Sequence, residues 1–211
     1  AIGHNAGLNV STGIKNTLIG GLAGDALTSG QFNVAVGYEA LSTEDDHGTA
    51  TAIGYRALKT QDAGANSYNV ALGYDAGTSV TTGIYNTLVG GTAGDSITDG
   101  NTNVAIGYSA LSSETSGDRN VAIGASALGS QNNTSDTDVY NVAVGYNAGY
   151  AMTTGAQNVL LGGLAGDALT TGSNNIAIGY RALTSEDANG RNIAIGQDAL
   201  FALNAGANAL N

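Results

Sequence analysis

Apolar residues fall along this chain in short bursts of three, each closed by a glycine and followed by Ser, Thr, Asp, Asn and Gly. Asn103-Val104-Ala105-Ile106-Gly107 is typical. Short β-branched runs cut by glycine and turn residues predict strands and turns rather than helices. The burst recurs twelve times, with central glycines Gly3, Gly20, Gly37, Gly54, Gly73, Gly90, Gly107, Gly124, Gly145, Gly162, Gly179 and Gly196. The steps between them are 17 residues except after the fourth and eighth, where they are 19 and 21.

That spacing is too short for a pair of helices and suits one coil of a parallel β-solenoid. The predicted fold is therefore all-β: a single repeat domain of twelve coils, making a rod roughly 55–60 Å long at the usual strand spacing. A slower period of 70 to 72 residues groups the coils in fours, giving super-repeats of approximately 1–68, 69–140 and 141–211. Within each, the first unit ends Ala-Gly and the second carries a double glycine and an Asp. The third and fourth end Ala-Leu.

An aliphatic residue precedes every central glycine, and Ala lies three places after it in all twelve units. Two places before the glycine stands Ala in nine units and Leu in three, at Leu18, Leu88 and Leu160. With both faces of each strand apolar, both are expected to be buried, the Ala face against something that approaches closely. Asn occupies the fourth place before the glycine at Asn16, Asn33, Asn69, Asn86, Asn103, Asn120, Asn141, Asn158, Asn175 and Asn192, with Ala50 the exception. Stacked coils would align these amides into a structural ladder that bonds its neighbours or caps the turns. Tyr follows the glycine at Tyr38, Tyr55, Tyr74, Tyr108, Tyr146 and Tyr180. Such a row packs on adjacent coils or chains, or offers rings on which a sugar could stack.

Composition sharpens this picture. The chain has 33 Gly, no Pro, no Cys and no Trp, so bulky core residues are scarce and a thin structure must bury small ones. Net charge is −11, which argues against nucleic acid as a partner. No apolar run is long enough to insert in a membrane as a helix. A first residue of Ala, inside a repeat, predicts a processed chain or a piece of a longer one.

Catalytic and cofactor patterns are not found. The two histidines, His4 and His47, lie in non-equivalent units, and no Ser/His/Asp arrangement follows the repeat. No enzyme and no cofactor are expected. His47, after Glu44-Asp45-Asp46, could join a metal site or simply lie in a solvated turn. Gly20-Gly21-Leu22-Ala23-Gly24-Asp25 and its copies resemble a calcium-binding turn, making Asp25, Asp95 and Asp167 weak metal candidates. They recur only every fourth coil, however, and an Asp bonding its own turn is the plainer reading. Paired Ser/Thr at Ser11-Thr12, Thr28-Ser29, Thr81-Thr82, Thr153-Thr154 and Thr170-Thr171 could bind ice, but Asp45, Asp46, Asp187 and Ala188 interrupt that array. Asn9, Asn132 and Asn133 are N-glycosylation sequons.

The words Asn-x-Ala-x-Gly-Tyr-x-Ala-Leu, as in Asn103–Leu111, resemble the head repeats of trimeric autotransporter adhesins and the shaft repeats of phage and viral tail fibres. The resemblance implies a left-handed parallel β-roll in a homotrimer, with Ala35, Ala52, Ala105, Ala122, Ala177 and Ala194 at chain-to-chain contacts. The expected function is a structural and adhesive fibre segment, extracellular or on a cell or virion surface. Variable turns (Thr43–His47, Thr60–Ser67, Ser112–Asp118, Gln131–Asp138, Thr184–Asn189) would present a polar, acidic surface to a host glycan or protein. The alternatives are a structural subunit of an end-to-end filament and an ice- or calcium-binding solenoid.

Overall fold

The computed structural model describes residues 1–185 and 188–202. Its strands are β1 (Thr17–Ile19), β2 (Val34–Val36), β3 (Thr51–Ile53), β4 (Val70–Leu72), β5 (Thr87–Val89), β6 (Val104–Ile106), β7 (Gly117–Asp118), β8 (Val121–Ile123), β9 (Thr137–Asp138), β10 (Val142–Val144), β11 (Val159–Leu161), β12 (Ile176–Ile178) and β13 (Ile193–Ile195). No helix occurs among the described residues, so none is long and apolar enough to cross a membrane.

The eleven three-residue strands form one parallel sheet in chain order, and a bridge from Ile2 to Ile19 adds the first coil. The protein is a β-solenoid. Each pairing joins equivalent positions of successive coils, including Ala52 to Ala71 and Ala122 to Ala143 across the two longer steps. The extra residues are therefore looped out without disturbing the register. In the second loop they form β9, which pairs with β7 beside the main sheet.

Only the middle residue of each three-residue strand points inward. Ala35, Ala52, Ala105, Ala122, Ala177 and Ala194 are all buried within the single chain, among its own core residues. This corrects the expectation that these alanines meet another chain. Their small size reflects how little room a 17-residue coil encloses. The flanking β-branched residues face outward and are half-buried or exposed, so only one face of the sheet is covered.

The interior shows what distinguishes the coils within each group of four. In each second unit, Leu18, Leu88 and Leu160 occupy the inward strand position, and glycine stands four places after the central glycine, at Gly24, Gly94 and Gly166. A Cβ on Gly24 would lie 2.8 Å from both Leu18 Cδ2 and Leu27 Cδ1. In third and fourth units the strand position is Ala, and the later position is a buried leucine: Leu41, Leu58, Leu111, Leu128 or Leu183. These leucines adopt φ between 48° and 57°, a left-handed conformation unfavourable for a side chain with a Cβ. Burying a leucine side chain contributes about 1.5–3 kcal/mol, enough to offset that cost.

The central glycines have a separate reason. Gly37 has φ 139°, and a Cβ there would lie 2.1 Å from the Gly54 carbonyl oxygen of the next coil. Adjacent coils approach too closely there for any side chain.

Candidate functional site

The Asn row fills a specific gap in the backbone bonding. The N–H of Thr17 donates to the carbonyl of Asn33 (2.9 Å), leaving the N–H of Asn33 without a place in the strand ladder. Asn16 Oδ1 accepts it at 2.9 Å. The same bond runs from Asn86 to Asn69 (2.7 Å), Asn103 to Asn86, Asn120 to Asn103, Asn141 to Asn120 and onward to Asn192. Most of the Nδ2 groups donate to turn carbonyls, as Asn103 does to Gly117 (2.9 Å), while those of Asn120 and Asn192 donate to the Oδ1 of the preceding asparagine. Nine of these asparagines, Asn33 to Asn192, are fully buried, so the row faces the interior and is not a ligand surface.

A second polar column was missed by sequence reasoning. Seven places after the central glycine, the first and second units carry Val80, Met152, Leu27, Ile97 or Leu169, but the third carries Glu44 or Glu114 and the fourth Gln61 or Gln131. All are buried. Glu114 accepts backbone N–H bonds from Thr115, Gly117 and Asn133 and side-chain bonds from Gln131 and Asn133, all at 2.8–3.0 Å. Gln131 in turn accepts from Asn141 (2.8 Å), and Gln61 from Asn69 (2.8 Å), so each glutamine ties the start of a long loop to the strand that follows it. Glu44 has fewer donors; its Oε1 accepts the His47 N–H at 3.1 Å, and burial raises its pKa. The turns expected to present an acidic surface therefore keep several of their polar residues inside, Ser67, Ser116 and Asp118 among them. The regular recurrence of Glu and Gln in one slot was the signal available.

The candidate metal residues separate in space. Glu44, Asp45 and His47 bring ligand atoms within 4.8 Å of one another, the only such group among the described residues. Asp25, Asp95 and Asp167 join no such group. Each has a buried Oδ1 without a hydrogen-bond partner, and burial raises each pKa. The hydroxyls of Ser11, Thr81 and Thr153 donate to carbonyls of the next coil, which spends part of the Ser/Thr array on internal bonds. Asp187 lies outside the described residues.

The outward face of the sheet carries exposed aromatics on both edges. Tyr38, Tyr55 and Tyr74 stack consecutively, with centroids 5.8 and 5.1 Å apart, while Tyr108, Tyr146 and Tyr180 are exposed with no ring stacked on them among the described residues; the Arg181 guanidinium lies over Tyr180. A second row, five places before the glycine, holds Phe32, Tyr68, Tyr85 and Tyr140; Tyr68 and Tyr85 stack at 5.4 Å. Every residue in this second row has a positive φ near 60°. Between the rows lie Val70, Leu72, Ile106, Ile193 and Ile195, all exposed.

No known family, curated protein or solved structure matches this chain. Its surfaces must therefore be read from their own chemistry.

Two hollows open on the turn side. The first, of about 210 Å³, is lined by Ser29, Gln31, Phe32, Asp46, Gly48 and Asn66. The second, of about 230 Å³, is lined by Thr171, Ser173, Asn174, Ala188, Gly190 and Arg191. They occupy corresponding places in the first and third super-repeats, with Phe32 answering to Asn174 and Asp46 to Ala188.

Proposed function

We propose that the chain is a stiff segment of an extracellular, cell-surface or virion fibre, holding attachment surfaces along its length. The observation that carries this reading is the eleven-strand parallel sheet, in register across both inserted loops. At the usual strand spacing it makes a rod of about 50 Å. Each coil is supported only by the coils on either side, an arrangement that extends in one direction without changing its cross-section. A repeat of this kind resists bending and carries loops at fixed intervals, which is what a shaft requires.

The outward apolar strand residues Val70, Leu72, Ile106, Ile193 and Ile195, with the Tyr38–Tyr55–Tyr74 row beside them, support lateral association with further copies of the chain. A homotrimer would cover them, and a host glycan or protein would meet the turns. Gel filtration with light scattering tests the association: about three times the 20.8 kDa chain mass is expected. Open-ended polymers would favour the filament instead. Electron microscopy tests the rod, and a compact particle without a long axis would overturn it.

A further inference from the structure

We infer that the hollow in the first super-repeat binds one neutral pyranose residue, with the Phe32 ring as its platform and the Asp46 carboxylate as its principal hydrogen-bond acceptor. The inference names a ligand class for the attachment role proposed above. It rests on that reading only for its biological purpose, because the hollow lies within one chain.

The hollow has the composition that a sugar requires. A pyranose presents a flat patch of C–H groups on one face and hydroxyls around its edge. Phe32 offers the complementary surface; it is 53% exposed, and among the described residues no other ring stacks on it. Lys15, from the preceding coil, places its ammonium 4.6 Å from the ring centroid. In the following coil the corresponding residue is Thr49, too small to cover the ring.

Asp46 is set for hydroxyl recognition. Its Oδ1 accepts the hydroxyls of Thr28 (2.7 Å) and Ser29 (3.1 Å), which orients the carboxylate and leaves both bonds on one oxygen. A carboxylate accepts hydroxyl protons more strongly than a neutral group does. Gln31 and Asn66 add amides able to donate and accept. Asn66 is held in place by its Oδ1, which accepts the Gly48 N–H at 3.2 Å. It belongs to the first inserted loop, so the insertion supplies one wall.

Size and charge narrow the class. About 210 Å³ is below the roughly 300 Å³ at which sites for drug-sized ligands begin, so the hollow suits a single ring. Asp46, on a chain of net charge −11, disfavours anionic sugars.

The other super-repeats supply internal comparisons. In the third, Asn174 and Ala188 replace the ring and the carboxylate while a hollow of similar volume persists. In the second, Asp118 stands where Gly48 does, and its Oδ1 accepts the N–H of Asn101 at 2.6 Å, bonding across the corresponding place.

The test is amide-resolved NMR on the full 15N-labelled chain, titrated with the methyl pyranosides of galactose, glucose, mannose and N-acetylglucosamine, and with sialic acid as the anionic comparison. At least one neutral pyranoside should shift Phe32, Gly48 and Asn66 saturably, with Kd on the order of 1–10 mM, and leave Asn174 and Gly190 unmoved. The paired variant Phe32→Asn with Asp46→Ala should weaken that binding at least tenfold. It places at 32 and 46 the residues the protein itself carries at 174 and 188, and an otherwise unchanged spectrum will show that it folds. The inference is overturned by an absence of saturable shifts with every neutral pyranoside, by full affinity in the paired variant, or by preference for sialic acid. Electron microscopy of the same samples separates the two claims: intact rods that ignore sugars remove only the pocket, whereas compact particles that bind them remove only the shaft.

Discussion

Leu88 fills the space that Gly77 leaves open: a Cβ on Gly77 would lie 2.6 Å from Leu88 Cδ1 and 3.0 Å from Leu58 Cδ2. The glycine of a first unit thus receives leucines from the coils on both sides, one from a strand and one from a turn. Large and small residues interlock along the rod axis, which is how a narrow core reaches the density of a wide one.

Shortening Leu88 to Ala should therefore destabilise the chain by about 2–5 kcal/mol, through lost burial and an unfilled cavity. Gly77→Ala should also be destabilising, by clash and by its φ of 58°. Because both changes act on one space, the double variant should lose less than the sum of the two. Urea denaturation of the three proteins checks this; strict additivity would refute the interlock.

Asn103→Ala removes the acceptor for the Asn120 N–H and the donor to the Gly117 carbonyl, both inside the rod. A loss of about 2–4 kcal/mol is expected from leaving these groups unpaired. Faster hydrogen exchange at the Asn120 amide, with little change in distant coils, would locate the damage.

Glu114 and Glu44 share a slot but differ in their partners, so replacing each by Gln should have unequal effects. Glu114→Gln places an NH2 group among five N–H donors and should cost about 2–3 kcal/mol. Glu44→Gln should cost less, because burial already works against the charge there. Equal losses in chemical denaturation would contradict this account.

Burial raises the pKa values of Asp25, Asp95, Asp118, Asp167 and Glu44. A raised folded-state pKa means the folded chain holds the proton more tightly. The resulting stability is complete below the unfolded value and lost as pH rises through the folded one. Hydrogen bonds lower Glu39, Asp46 and Asp99, which act in the opposite sense and lose stability further into acid. The melting temperature should therefore rise as pH falls from about 7 towards 4, then drop. A triple variant with Asn at 25, 95 and 167 should show a shallower rise; an unchanged slope would show that these carboxylates are not responsible.

Ala105 and Ile106 are adjacent in sequence and point to opposite sides of the sheet. Ile106→Lys should leave the melting temperature within a few degrees while breaking the lateral association proposed above, read as a fall in mass by light scattering. Ala105→Leu should overpack the interior and destabilise the single chain by about 1–3 kcal/mol. The reverse pattern would return the alanines to a contact between chains.

That pair also shows where the sequence was legible. The 17-residue step points to a parallel stack, because it is too short for a pair of helices and returns the same three strand residues at a fixed interval. Val-Ala-Ile does not reveal its inner face, since apolar residues on both sides leave period-two alternation without a polar marker. Alanine suggested close approach, and these alanines pack inside the coil among the chain's own core residues. Glu114 was hidden for the converse reason: a carboxylate among serines and threonines looks solvated until the bonds from Gln131 and Asn133 are seen. The second aromatic row escaped notice because only Phe32, Tyr68, Tyr85 and Tyr140 represent it, with polar residues between. The sugar-sized hollow depends on Asn66 returning from an insertion, which no local pattern announces.

The interlocking of Leu88 with Gly77 also restricts how such a chain can be lengthened. Deleting a first-unit coil would set the fourth unit's leucine against the second's, and duplicating one would set glycine against glycine at the new junction. Removing or adding a whole group of four restores every partner. Growth by the whole group of about seventy residues keeps every partner, the buried Glu and Gln slots included, and so gives the rod a natural increment set by the width of its own core.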